Sequence, residues 1–99
     1  MKRHVVLHPR ARADLRDIWR NTAERWSVRQ AEAYSRALVA FFDILAEEPG
    51  MARERLDLNP SVRIHPYKSH LVIFRADDTQ LEVLRVLHAR SNWQALLGD

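Results

Sequence analysis

Two amphipathic stripes separated by a very short break fill the first half of this chain, and they restrict its fold more than any other feature. Ala11, Leu15, Ile18, Trp19, Thr22 and Trp26 recur at the spacing of one face of a 3.6-residue helix. That spacing predicts a helix over 9–26, with Pro9 at a first position where its missing N–H costs nothing. Ala31, Tyr34, Leu38, Phe41, Phe42 and Leu45 form a second stripe, predicting a helix over 28–47 that Pro49 and Gly50 stop. Between them Ser27, with Gln30 three residues on, is a capping box in which each side chain satisfies the other's free backbone donor. Helices joined so tightly fold back on each other as an antiparallel hairpin. Such a hairpin must bury its apolar side against a second layer.

The rest of the chain supplies strands for that layer. Residues 3–7 form a short first strand, and 51–60 reads as a charged, irregular crossing. Val62-Arg63-Ile64-His65-Pro66 alternates like a half-buried strand over 61–66, and Tyr67-Lys68-Ser69 turns it. Leu71-Val72-Ile73-Phe74, within a strand over 70–76, is apolar on both faces and so belongs at the centre of the sheet. Asp77-Asp78-Thr79 is a turn with the expected Asp chemistry, leading to a last strand over 81–88. Residues 91–97 form either a short terminal helix or a tail lying over the sheet. The order β-α-α-β-β-β predicts one α+β domain over 1–99, a helical hairpin on a small, mostly antiparallel sheet. Leu15, Ile18, Trp19, Leu38, Phe42, Leu45, Leu71, Ile73, Val83 and Val86 are expected in the core.

Composition removes several function classes. There is no cysteine, hence no disulfide and no thiolate metal site. The basic start has no apolar stretch long enough for a signal peptide before Pro9, and no run approaches the roughly 20 apolar residues of a membrane span. A cytoplasmic protein is expected. His4 with His8, and His65 with His70, lack carboxylates at ligand spacing, so no metal is expected. Gly50 and Gly98 are the only glycines, which excludes a glycine-rich phosphate loop, and no serine sits in a nucleophile elbow. No cofactor is implied. The net charge of +3 comes almost wholly from arginine, a bias that a GC-rich genome also produces, and does not by itself make a nucleic-acid binder. Arg12, Arg16 and Arg20 form a ridge on the first helix, a solvated face or a seat for an acidic segment.

The chemistry-bearing groups collect at the end of the chain. The apolar run of the last strand empties into His88, Arg90, Ser91, Asn92 and Trp93, bringing a titratable ring, a cation and a large aromatic to one edge of the domain. These groups grip a protein surface or a phosphate. His65, His70, His88, Arg63, Arg75, Arg85 and Arg90 all fall on strands or their ends, and a metal-independent ribonuclease needs such bases, acids and cations to converge. Periodicity places Trp19 and Trp26 in the core. Trp93 lies outside any core periodicity, and packing under the tail and anchoring a partner both stay open.

This order of elements, with Ala11, Asp14, Leu15, Ile18 and Trp19 in register, resembles the ParE toxins of the ParE/RelE superfamily. The likeness continues through 22–26, Ala31, Tyr34, Leu38, the stop at 46–50, Arg53, Val62-Arg63, His70, Ile73-Phe74-Arg75 and the closing 86–93. It implies a toxin of a type II toxin–antitoxin system, of a kind linked to plasmid stabilisation, neutralised by a ParD-like antitoxin in a hetero-oligomer. DNA would be touched only through the antitoxin. ParE-like toxins poison DNA gyrase without an active site of their own, whereas RelE-like relatives cut ribosome-bound messenger RNA. Here the closing motif carries Trp93 and no late tyrosine, which favours gyrase, with His88, Arg90, Ser91, Asn92 and Trp93 as the target-binding surface and Arg12, Arg16 and Arg20 facing the antitoxin. Alternatives are the RelE-like endoribonuclease, kept open by His65, His70 and His88, and a non-toxic relative acting in autoregulation. His8 stands where the family caps its first helix with serine, an exchange expected to weaken the cap by up to about 1 kcal/mol.

Overall fold

A computed structural model describes residues 2–58 and 61–97. The first strand, β1 (His4–Leu7), leads through His8 into α1 (Pro9–Arg25) and α2 (Val28–Glu47). A 3-10 turn at Pro49–Met51 is followed by β2 (Arg53–Arg55), β3 (Val62–Tyr67), β4 (His70–Ala76), β5 (Gln80–His88) and a short α3 (Trp93–Leu97). The five strands lie in the order β1-β5-β4-β3-β2, with β1 parallel to β5 and the other pairs antiparallel. The expected helical hairpin and α+β order are present.

Local chemistry explains the element ends. The Ser27 hydroxyl accepts the Gln30 amide at 3.0 Å and starts α2. His8 caps α1 itself, its Nδ1 accepting the Arg10 amide at 3.1 Å. The imidazole thus fills the serine's role rather than leaving it vacant. Asp77 fastens the last turn, one carboxylate oxygen accepting the amides of Thr79 and Gln80 at 2.8 Å each. The strand β2 runs through a segment that looks irregular in sequence. Its three residues are all charged and pair with β3 at the sheet edge, where charge discourages association with other chains.

The main core lies between hairpin and sheet, with Leu38, Phe42 and Leu45 of α2 against Val72, Phe74, Leu81 and Val83, all fully buried. A bulge opposite Ile73 and Phe74 leaves Leu84 without a partner, so the faces of β5 exchange there. Leu81, Val83 and Val86 therefore join the main core, while Leu84 and Leu87 join Val62 and Ile73 in a second cluster on the outer face. That outer cluster is covered in part by Leu58, Trp93 and Leu97.

Two of the aromatic residues depart from their sequence placement. Trp19 is 36% exposed and Trp26 is 70% exposed. The cause is the close approach of α1 at Ala11 and Ile18: Trp19 is one residue past Ile18, about 100° around the helix, and swings to the margin. Trp26 lies just past the last turn of α1, where the chain reverses. Leu15 and Leu71 are only half-buried, Leu15 packing against the main core.

Candidate functional site

The end of β5 is held rigidly before the chain turns outward. His88 lies directly opposite His70 of β4, and the Ala89 amide donates to the Ser69 carbonyl at 2.9 Å. The next turn closes on His88: its Nδ1 accepts the Arg90 amide at 3.1 Å, and its carbonyl accepts the Ser91 amide and hydroxyl at 2.9 and 2.6 Å. His88, Arg90 and Asn92 are exposed and Ser91 is half-buried, so four of the five residues singled out near the C-terminus form one outward turn. Trp93 leaves that group. It folds onto the outer sheet face, and the Arg55 guanidinium sits 5.5 Å from its ring centroid. Asp57 holds Arg55 in place through bonds of 2.9 and 2.8 Å. Of the two readings of Trp93, packing describes its position.

Arg12, Arg16 and Arg20 are all exposed along α1, and Arg20 lies 3.8 Å from Asp17 in a pair that is about two-thirds solvated on each side. A pair so exposed contributes little to stability, which leaves the ridge a cationic surface.

Between α1 and the end of β5 runs a groove of 590 Å³ whose walls include Asp14, Asp17, Arg25, His88 and Ser91. It meets a second groove of 370 Å³ at Thr22, Trp26, Ser69 and His70, and that one continues past Ala33, Tyr34, Ala37 and Lys68. At the junction the Tyr34 hydroxyl and His70 Nδ1 are 2.7 Å apart, and the His70 and His88 rings meet edge-on at 5.4 Å. Burial pushes the His70 imidazole below its ordinary value, with the neighbouring His88 adding to the shift. Burial likewise raises the Tyr34 phenol, with Ser69 pulling the other way. The Lys68 ammonium stands 5.5 Å from the Tyr34 ring centroid and 5.7 Å from that of Tyr67.

The three strand histidines have separate local attachments. His65 Nδ1 bonds to the Pro66 carbonyl and its ring packs on Phe41 at 5.1 Å. His70 pairs with Tyr34, and His88 with the Arg90 amide. Of the arginines, Arg63 reaches the Ala52 carbonyl, Arg75 pairs with Glu82 at 2.9 Å, and Arg85 binds Asp14. Among the described residues no three His, Asp or Glu side chains assemble as a metal site, and no helix is long and apolar enough to cross a membrane. Sequence reasoning missed the Asp14–Arg85 pair and the Tyr34–His70 bond. Both join residues far apart in the chain, so no local spacing announces them.

Comparison with known proteins is consistent across the chain. A family model described as the ParE toxin of the type II toxin–antitoxin system parDE matches residues 5–93. A protein named Toxin ParE1 from Caulobacter vibrioides is 41% identical over 92 residues, spanning 93% of this chain and 95% of its own length. One of the same name from Mycobacterium tuberculosis is 36% identical over 91 residues, 91% of this chain and 93% of its own length. A solved structure titled as a chromosomal ParDE system from P. aeruginosa superposes with a TM-score of 0.75 at 18% identity, covering 88% of this chain and 96% of the other, a likeness of fold. The chain belongs to the ParE family, the toxins of type II toxin–antitoxin systems.

Proposed function

We propose that this ParE-family toxin acts in the cytoplasm by binding DNA gyrase, and that a ParD-like antitoxin neutralises it in a hetero-oligomer that touches DNA only through the antitoxin. The observation that carries the reading is the rigid outward turn from His88 to Asn92. A turn pinned by bonds from Ala89, Arg90 and Ser91 presents Arg90 with little ordering entropy left to lose on binding. Arginine and tryptophan are common interface anchors, worth about 2 kcal/mol or more when centrally buried. Trp93, folded beside the turn, stays in the proposed surface as its flank and support. The histidines favour binding over hydrolysis, because His70 and His88 share one groove while His65 stands apart from it, tied to the Pro66 carbonyl and packed on Phe41. The exposed ridge of Arg12, Arg16 and Arg20 is the proposed seat for an acidic antitoxin segment, a contact that salt would screen.

The test is induction of this chain alone, followed by assays of supercoiling and translation. Arg90→Ala, with thermal stability retained, is expected to relieve inhibition of gyrase. Unchanged inhibition by Arg90→Ala combined with Trp93→Ala would remove the surface assignment. Cleavage of ribosome-bound messenger RNA with supercoiling spared would replace gyrase binding by nuclease action, and harmless expression would point to an autoregulatory partner. For the ridge, reversing all three charges is expected to weaken antitoxin binding and flatten its salt dependence.

A further inference from the structure

We propose that Tyr34, His70 and His88 form an acid-sensitive latch that holds the C-terminal end of β5 against the helical hairpin at neutral pH and releases it on acidification. The three groups come from three elements and meet at one point. Tyr34 rises from α2 and bonds His70 of β4 at 2.7 Å, while His88 of β5 stands opposite His70 with the rings edge-on at 5.4 Å. Directly beyond His88 the chain makes the outward turn, and the Ala89–Ser69 bond closes the β4–β5 ladder beside the latch.

The surroundings make a second proton unwelcome. Lys68 in the turn before β4 already places a cation over the Tyr34 ring, and Arg25 of α1 lines the groove that His70 and His88 share. Asp14 and Asp17 of α1 line the same groove, but Asp14 is committed to Arg85 and to the Val86 amide, and Asp17 lies exposed beside Arg20. Asp14 is thus committed elsewhere, and the charge of Asp17 is screened by the solvent around it. The edge-on packing of two rings suits a neutral pair, and two like charges at that separation repel. Burial already holds His70 below 6.5, so the folded protein keeps it neutral where an unfolded chain would take the proton. The resulting stabilisation is complete above 6.5 and is lost as pH falls from there through the lowered value of the folded state. The loss is local to the latch, because the rest of β5 is fastened independently by β1, β4 and Asp14.

Amide hydrogen exchange on the full chain, corrected for intrinsic rates, tests this at about pH 7.5 and about pH 5.5. Acidification is expected to lower protection of the segment 86–93 about threefold or more, while the Leu81–Val83 stretch holds. His70→Gln keeps a hydrogen-bonding partner for Tyr34 and cannot be charged, so its segment should respond to pH much less than the wild type. His88→Gln, which removes the second charge, should reduce the response as well, and it carries the test if His70→Gln fails to fold. An unchanged wild-type segment overturns the latch. So does a full response in either folded variant, since the pair of rings that defines the latch is then absent and the response is not its doing.

Discussion

Asp14 and Arg85 join α1 to β5 through a two-pronged ion pair, Nε and Nη2 of the arginine donating to the two carboxylate oxygens at 2.9 and 3.0 Å. One of those oxygens also accepts the Val86 amide at 2.9 Å. The reason lies in the sheet. β1 covers β5 only from Gln80 to Val83, so Val86 lies past the end of its neighbour and a side chain supplies the acceptor that a strand would have given.

Both side chains of that pair are largely buried, at 18% and 11% exposure. Removing Asp14 takes from Arg85 both bonds of the ion pair and from the Val86 amide its acceptor. Asp14→Leu is therefore expected to cost about 3 kcal/mol, and its combination with Arg85→Met to cost less than the two single changes together. Urea denaturation of the four proteins closes the cycle, and additive losses would mean that the pair is not coupled.

The helix caps give a finer comparison. Ser27→Ala and His8→Ala should each lower stability by about 1 kcal/mol, whereas His8→Ser should change it little, since one side-chain acceptor replaces another. Equal losses for His8→Ala and His8→Ser in chemical denaturation would show that the ring's packing matters and its Nδ1 does not.

Two tryptophans that look equally apolar in sequence should behave differently. Trp26, at 70% exposure, is expected to tolerate alanine within about 0.5 kcal/mol. Trp93→Ala removes part of the cover over Val62, Ile73 and Leu87 together with the Arg55 contact, and a loss of about 1–2 kcal/mol is expected. Thermal melts of the two variants read the difference, and a larger loss at Trp26 would contradict the packing described.

Asp77 sets an acid limit. Amide hydrogen bonds from Thr79 and Gln80, joined by the Thr79 hydroxyl, hold its carboxyl below the ordinary 3.8. The stabilisation is therefore intact above 3.8 and is lost as pH falls through the lowered value in the folded chain. Asp77→Asn should flatten the acid limb of a stability-against-pH curve in that window while leaving the neutral region's slope alone.

Periodicity carried most of the fold. The helices and the four longer strands announce themselves because their burial follows a fixed repeat along the chain, and the capping residues mark where each repeat begins. β2 escaped because an edge strand of Arg53, Glu54 and Arg55 has no apolar repeat to read. Trp19 and Trp26 follow the repeat and are exposed all the same: a repeat shows neither how closely the helix approaches the sheet, which turns Trp19 to the margin, nor that the helix ends before Trp26. The turn around His88 was visible as chemistry, since its groups are adjacent in sequence. The inward folding of Trp93 was not, because it depends on Arg55 and on an outer face whose residues alternate with core positions only until the bulge at Leu84.

The pairing of His4 with Gln80 joins the first strand to the last, and it imposes an order of events during synthesis. The hairpin of α1 and α2 has all its partners nearby and can form early, but β1 has no strand to join until β5 emerges. A chain that stops short of Gln80 thus exposes the apolar side of the hairpin and lacks the closing strand, and chaperones and proteases would meet it in that state. Docking of β5 beside β1 and closure of the turn that follows it, proposed to bind the target, are therefore neighbouring late events in folding.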